Sequence, residues 1–223
     1  MNKAFKLFGL TVALAGCAAA PETAKTAAVR LSLTDRVQAA VVETQQKAAA
    51  GLPDEIAGMK SVEPVADREK NQRGAGFTRV YTADDIVATV FVYNNQTFGV
   101  PAEITPDMET LMEKHLQEFQ AMQDSGLYAN VKAGTPKTRT FRWRGVSYQV
   151  LESDVKFTQR DEDKASLLVL GANPDLMTFV RIRYTYPKSQ QAAAAKKQPV
   201  FTRTVFVALH DFAEAQKTSV AEQ

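Results

Sequence analysis

Apolar positions recur along this chain in two periods, and the switches between them predict its elements. Ile86 to Tyr93 is apolar on both parities: Ile86, Ala88, Val90 and Val92 on one, Val87, Phe91 and Tyr93 on the other. A strand that is apolar on both faces must be covered on both. An interior strand with helices on each side is therefore expected. Gly76 to Thr82 sets Phe77, Arg79 and Tyr81 against Thr78 and Val80, and Asp84-Asp85 makes the turn that joins the two runs. Phe179 to Tyr186 alternates: Val180, Ile182, Tyr184 and Tyr186 face one way, Arg181 and Arg183 the other, and Pro187 ends the run. Further strands are predicted at Met59 to Val65, Tyr128 to Lys132, Arg139 to Trp143 and Val146 to Phe157, with a hairpin turn at Arg144-Gly145. A short apolar strand, Leu167 to Leu170, lies between the charged turn Arg160 to Lys164 and the turn Asn173-Pro174-Asp175.

Helical spacing is clearest after Thr105-Pro106. Proline suits a first helical turn, Asp107 and Glu109 favour its positive end, and Met108, Leu111, Met112, His115, Leu116, Phe119 and Met122 form one stripe. Ser125-Gly126 closes it. Phe201, Val205, Leu209 and Phe212 predict a last helix over 200–215, after a polar, Ala-rich stretch at 188–199 that reads as a loop or a fraying helix. Val37, Val41 and Val42 predict a helix over 34–50 with Thr34 as cap and Gly51 and Pro53 as stop, with docking on the domain open to it; an unstructured Ala-rich stalk is the other reading. Consecutive hairpins with helices placed outside them indicate an α+β fold: a largely antiparallel sheet covered by helices on both faces, an α/β/α sandwich.

The first residues follow neither period. Lys3 and Lys6 precede a short apolar run, Leu7 to Leu14, that ends in Leu14-Ala15-Gly16-Cys17. This is the layout of a secretory signal, and the run is too short for a bilayer, which needs about 20 apolar residues. Leu14-Ala15-Gly16-Cys17 resembles the lipobox of bacterial lipoproteins at all four positions. The resemblance implies diacylglyceryl transfer to the Cys17 sulfur, cleavage after Gly16, and acylation of the new amino terminus. An ordinary signal peptide cut after Ala20 is the rival reading. Cysteine usage weighs against it, because Cys17 is the single cysteine in 223 residues. Several acyl chains would hold the protein firmly on a membrane. Ala18 in place of an inner-membrane Asp signal points, by that family's pattern, to the outer membrane facing the periplasm if the cell is Gram-negative.

The organisation expected is a signal peptide at 1–16, a lipidated tether at 17–50 containing the helix, one α+β domain at 51–217, and a tail at 218–223. Losing Lys3 and Lys6 lowers the 27 basic residues by two, level with the 25 acidic ones. A neutral chain without a basic run is a poor candidate for binding nucleic acid or anionic lipid, and no nucleic-acid partner is expected. The expected partners are the membrane, through the anchor, and an envelope protein.

Candidate chemistry is sparse. His115 sits on an apolar stripe and reads as a partly buried structural residue, and His210-Asp211 cannot form a dyad because adjacent helical residues diverge by about 100°. There is no Gly-x-Ser-x-Gly elbow and no His-Glu-x-x-His pair. An acylated Cys17 removes thiolate catalysis and Cys-ligated zinc. Asp161-Glu162-Asp163 lacks the glycine and terminal glutamate of a calcium loop and reads as a solvated turn. Gly74-Ala75-Gly76 lacks the pattern of a phosphate loop. No cofactor and no metal are expected. The most distinctive surface is basic and aromatic: Arg142, Trp143 and Arg144, with Arg139 and Phe141 in the same hairpin arm and Arg181 and Arg183 as candidate neighbours. Arginine and tryptophan are enriched at binding hot spots, though alternation alone can yield such rows.

Leu52-Pro53 with Gly58, then Gly76-Phe77, Ile86 to Tyr93 and Val180 to Pro187, resemble the skeleton of small bacterial envelope proteins with a PsbP-like α/β/α sandwich. The resemblance spans about residues 52 to 215 and implies a fold. PsbP is an extrinsic photosystem subunit, and none of its site residues can be placed here, so no activity is implied. Two functions are in contention. One is a non-enzymatic binding or scaffolding lipoprotein. The other is an envelope enzyme built on carboxylates such as Glu152 or Asp154 with nearby arginines.

Overall fold

The computed structural model describes residues 32–221. Along the chain these are α1 (Leu33–Ala50), β1 (Glu55–Ile56), β2 (Met59–Ser61), β3 (Ala66–Asp67), β4 (Phe77–Ala83), β5 (Ile86–Tyr93) and α2 (Pro106–Asp124). There follow β6 (Ala129–Ala133), β7 (Lys137–Trp143), β8 (Val146–Gln159), β9 (Glu162–Asn173), β10 (Thr178–Pro187) and α3 (Gln191–Ala221). Short 3-10 turns at Pro174–Leu176 and Lys188–Gln190 flank β10.

The strands form one antiparallel sheet in the order β1-β2-β4-β5-β10-β9-β8-β6, with β3 added to β4 and β7 to β8. Helices cover both faces, so the architecture is an α+β sandwich. Because strand side chains alternate, each face gathers its own core. On one face Val90, Val180, Ile182 and Tyr184 pack with Ala48 and Ala49 of α1 and with Phe201, Val205, Phe206 and Leu209 of α3. On the other, Leu151, Leu168, Leu170 and Phe179 pack with Met108, Leu111, Met112 and Phe119 of α2. The doubly apolar run of β5 is thereby explained: it lies inside the sheet, between β4 and β10.

Several boundaries differ from those read in the sequence. The folded unit begins at Ser32, and α1 packs on the sheet as part of it. Its cap is Ser32, whose Oγ accepts from the Asp35 amide at 3.1 Å, and not Thr34. The buried face of α1 includes Gln38 and Gln45, which blurs its apolar period; Gln38 Oε1 accepts from Asn94 Nδ2 at 3.2 Å. The turn placed at Arg160 to Lys164 is confined to Arg160-Asp161, both at positive φ, and β9 starts at Glu162. Residues 191–199 belong to α3, which runs through Pro199 as one helix. α3 approaches the sheet closely at Gly171, where a Cβ would stand 2.6 Å from the Phe206 ring. No helix among the described residues is long and apolar enough to cross a membrane.

Arg79 ties the end of α1 to β4. Its guanidinium donates to the Ala50 carbonyl at 2.9 Å, to the Leu52 carbonyl and to Asp54 Oδ1, and its Nε donates to Ser61 Oγ at 3.2 Å. A cation at a helix C-terminus also complements the helix dipole. Tyr81 Oη adds a bond to the Pro53 carbonyl at 2.9 Å.

Candidate functional site

At the centre of the sheet, β10 lies beside β5 with Arg181 opposite Phe91 and Arg183 opposite Thr89. The odd-numbered positions of β10 face α2, so these two arginines enter the layer between the sheet and that helix. Each is housed by aromatic rings. Arg183 lies over Phe119 (4.3 Å to the centroid) and donates to Tyr128 Oη at 2.7 Å. Arg181 lies over Phe91 at 4.0 Å and donates to Glu118 Oε1 at 2.6 Å.

Arg181 and Glu118 are two of four groups in one network. His115 Nδ1 is 2.8 Å from Glu118 Oε1 and 2.6 Å from Arg181 Nη1, and His115 Nε2 is 2.7 Å from Tyr93 Oη. Nδ1 cannot serve both of its neighbours at once. Protonated, it donates to Glu118 and Nε2 accepts from the Tyr93 phenol. Unprotonated, it accepts from Arg181 and Nε2 donates to Tyr93. In both tautomers the ring is neutral. Burial, with the charge of Arg181 adding to it, holds His115 below the usual histidine range against the pull of Glu118. Burial works against the Glu118 carboxylate, but the bond from His115 and the Arg181 charge outweigh it and keep Glu118 below the usual carboxylate range. Burial raises the Tyr93 phenol.

These side chains line a cleft of about 380 Å³ together with Arg68, Asn95 and the Gly74-Ala75 loop. The loop is held by Glu69, whose carboxylate accepts from the Gly74 and Gly76 amides at 2.9 and 2.7 Å. Gly76 has φ +65°, and a Cβ there would stand 2.0 Å from the Val92 carbonyl oxygen, so only glycine fits.

Glu118, His115 and Tyr93 follow one another as acid, base and hydroxyl. Tyr93 is only 6% exposed, however, and its phenol stays protonated. The network fixes α2 to the sheet and leaves Arg181 and the half-exposed Glu118 as the polar wall of the cleft.

The sequence-predicted surface is divided by the sheet. Trp143 lies on the α3 face, where the Arg203 and Arg144 guanidinium carbons are 5.8 and 5.6 Å from its ring centroid. Arg144 reaches Asp211 of α3 at 3.9 Å. Arg142 is exposed and points to the opposite side from Trp143, as its neighbour on the strand. Arg181 and Arg183 face α2 and are separated from β7 by β9 and β8. The five residues therefore make two surfaces. Cys17 lies outside the described residues.

Glu152 of β8 is 3.4 Å from Arg139 and is raised by burial; Asp154 belongs to another cleft. Among the described residues, no three His, Cys, Asp or Glu side chains converge in a way that could hold a metal ion. Sequence reasoning placed His115 on its stripe as a partly buried structural residue; both of its ring nitrogens are partnered. The available signal was Glu118, three residues on and hence on the same helical face.

No protein-family model and no curated protein sequence matches the chain. Among solved structures, the solution structure of a cyanobacterial PsbP (CyanoP) from Synechocystis sp. PCC 6803 is similar over 66% of this chain and 85% of that chain. The identity is 11% and the TM-score 0.43, a level of likeness that carries no argument about activity.

Proposed function

We propose that this chain is a lipoprotein of the bacterial cell envelope, anchored through Cys17, whose globular unit is a binding or scaffolding module. The observation that carries the anchor is Leu14-Ala15-Gly16-Cys17 behind a short apolar run, in a chain with one cysteine. Binding is favoured over catalysis because the titratable groups of the Arg181 cleft partner one another, with the phenol sealed. In a Gram-negative cell the location would be the outer membrane, facing the periplasm.

The test is metabolic labelling of cells expressing the full chain with a clickable palmitate analogue. Wild type should carry label and pellet with membranes, and Cys17→Ser should carry none. A Cys17→Ser protein that is still cleaved and still pellets with washed membranes would refute the anchor. The binding half is tested by crosslinking in native membranes, where a specific adduct should weaken in Trp143→Ala or Arg181→Met. A single observation favours the enzyme reading, the order Glu118-His115-Tyr93. It predicts that a tyrosine-reactive sulfonyl fluoride labels Tyr93 in wild type and not in His115→Ala.

A further inference from the structure

A second cleft, of about 400 Å³, lies between the outer ends of β6, β8 and β9 and the start of α3. On the α3 face, the β8 positions that follow Val150 in alternation are Glu152, Asp154, Lys156 and Thr158, all polar. The cleft is lined by four lysines, Lys132, Lys156, Lys164 and Lys188, against two carboxylates, Asp154 and Asp163. Lys164 and Lys188 have acidic neighbours, Glu162 at 3.2 Å and Asp163 at 3.8 Å. Asp163 also accepts from Thr158 Oγ1 at 3.2 Å, which in turn accepts from Asn130 Nδ2 at 3.3 Å. Asn130, at φ 55°, sits where the β6–β8 pairing shifts register.

Lys132 and Lys156 are different. They are directly opposite in the β6–β8 ladder, and among the described residues neither has a carboxylate within 4 Å. Like charges directly opposite on a sheet repel. Two lysines paired across neighbouring strands at the wall of a concave site offer a point-charge clamp of the kind that holds phosphate. Among the described residues Asp154 has no cation within 4 Å either, and its charge adds to burial in raising the Tyr186 phenol. A carboxylate beside a cationic clamp repels a bare anion, but it accepts bonds from hydroxyl groups.

We propose that this cleft binds a phosphate ester of a polyol, with the phosphate on Lys132 and Lys156 and a hydroxyl on Asp154. The proposal rests on the binding-module reading and gives it a ligand class. That chemistry is shared by free glycerol phosphates and by the headgroups of glycerophospholipids.

The experiment titrates the full-length lipidated protein, in neutral detergent micelles at constant ionic strength, with glycerol 3-phosphate, inorganic phosphate and glycerol. A parallel arm uses micelles doped with phosphatidylglycerol. Amide NMR shifts are the readout. Saturable shifts confined to residues around 130–132, 154–158, 163–165 and 186–191 support the proposal when glycerol 3-phosphate or the doped micelles give them; a response to glycerol alone or to inorganic phosphate alone overturns it. Response to glycerol 3-phosphate alone assigns a free ester, and response to the doped micelles alone assigns a headgroup. Lys132→Gln/Lys156→Gln should weaken binding at least ten-fold. The same change relieves a repulsion, so the melting temperature should hold or rise, which a purely structural role would not give. Asp154→Asn should weaken glycerol 3-phosphate while strengthening inorganic phosphate. No saturable shift in any arm, or binding that the double variant leaves intact, overturns the proposal. Neither result alters the palmitate and crosslinking outcomes by which the binding-module reading stands or falls.

Discussion

Replacing Tyr93 by Phe removes one hydroxyl from the network that joins α2 to the sheet and leaves the ring in place. The ring keeps its neighbours, Phe179 at 5.8 Å and His115 at 5.9 Å between centroids. What changes is a 2.7 Å bond between two groups that are 6% and 9% exposed. A buried imidazole nitrogen left without a partner costs about 1–3 kcal/mol. For a domain of this size each kcal/mol is worth roughly 2–4 °C in melting temperature, so Tyr93→Phe should lower it by about 2–12 °C. His115→Leu strands the phenol instead and should cost a similar amount. The double variant strands neither, and Glu118, half exposed, can turn to water. Replacing both buried partners by apolar groups is far less costly than replacing one, so the two losses should fall short of adding by roughly 1–2 kcal/mol. Urea unfolding measures this with Trp143 as the single tryptophan probe, sited on the opposite face, and circular dichroism as the test of a two-state transition. Additive single losses, or a Tyr93→Phe protein within about 0.5 kcal/mol of wild type, would contradict the latch; the smallest loss expected from an orphaned buried nitrogen is about 1 kcal/mol.

The same network makes stability depend on pH in two windows. The His115 value is lowered in the folded state, so the unfolded chain takes up its proton first. Stability should fall as pH drops below 6.5, the ordinary histidine value, and His115→Gln should flatten that slope. Glu118, also lowered, contributes stability above 4.5 that is lost as pH falls further, a drop that His115→Gln should reduce but not abolish, since Arg181 remains; urea midpoints across the range report both. At the β9–α3 contact, Gly171→Ala places a methyl 2.6 Å from Phe206 and 2.9 Å from Val150 Cγ1. It should destabilise by about 1–3 kcal/mol, with part recovered by adding Phe206→Leu, read as shifts in the urea midpoint at unchanged slope.

What was legible in the sequence was whatever rested on apolar period. β5 runs over the residues its doubly apolar pattern marked, and α2 begins at the proline and threonine that announced it. The misses have physical causes. α1 buries Gln38 and Gln45, whose side chains read as solvent-facing by type; Asn94 partners the first of them. Residues 191–198 of α3 precede a proline, which removes one intrahelical bond and reads as a break, although the helix continues. β9 starts with charged residues because its outer end lies beside the lysine cleft and outside both cores. The clefts themselves were hidden for a related reason. Arg181 could be placed on a face from alternation, but its meeting with His115 and Glu118 depends on how a helix crosses two strands. The split between Trp143 and Arg181 follows from which face each strand turns to α3 and which to α2, and no local pattern encodes that.

Strand order governs when the fold can form. β5 and β9 are not hydrogen-bonded to each other; each is hydrogen-bonded to β10, as in Val92–Val180–Gly171. Until residues 178–187 arrive, the chain can make only two separate antiparallel sections, each ending in a bare edge at what will be the middle of the sheet. Both cores draw on β10, one through Val180, Ile182 and Tyr184, the other through Phe179. Closure of the sheet and completion of both cores are thus one late event that requires nearly the whole chain. Contacts so distant in sequence close slowly. A chain held short of that point remains open, and a truncation before Thr178 would leave two exposed strand edges able to pair with other molecules.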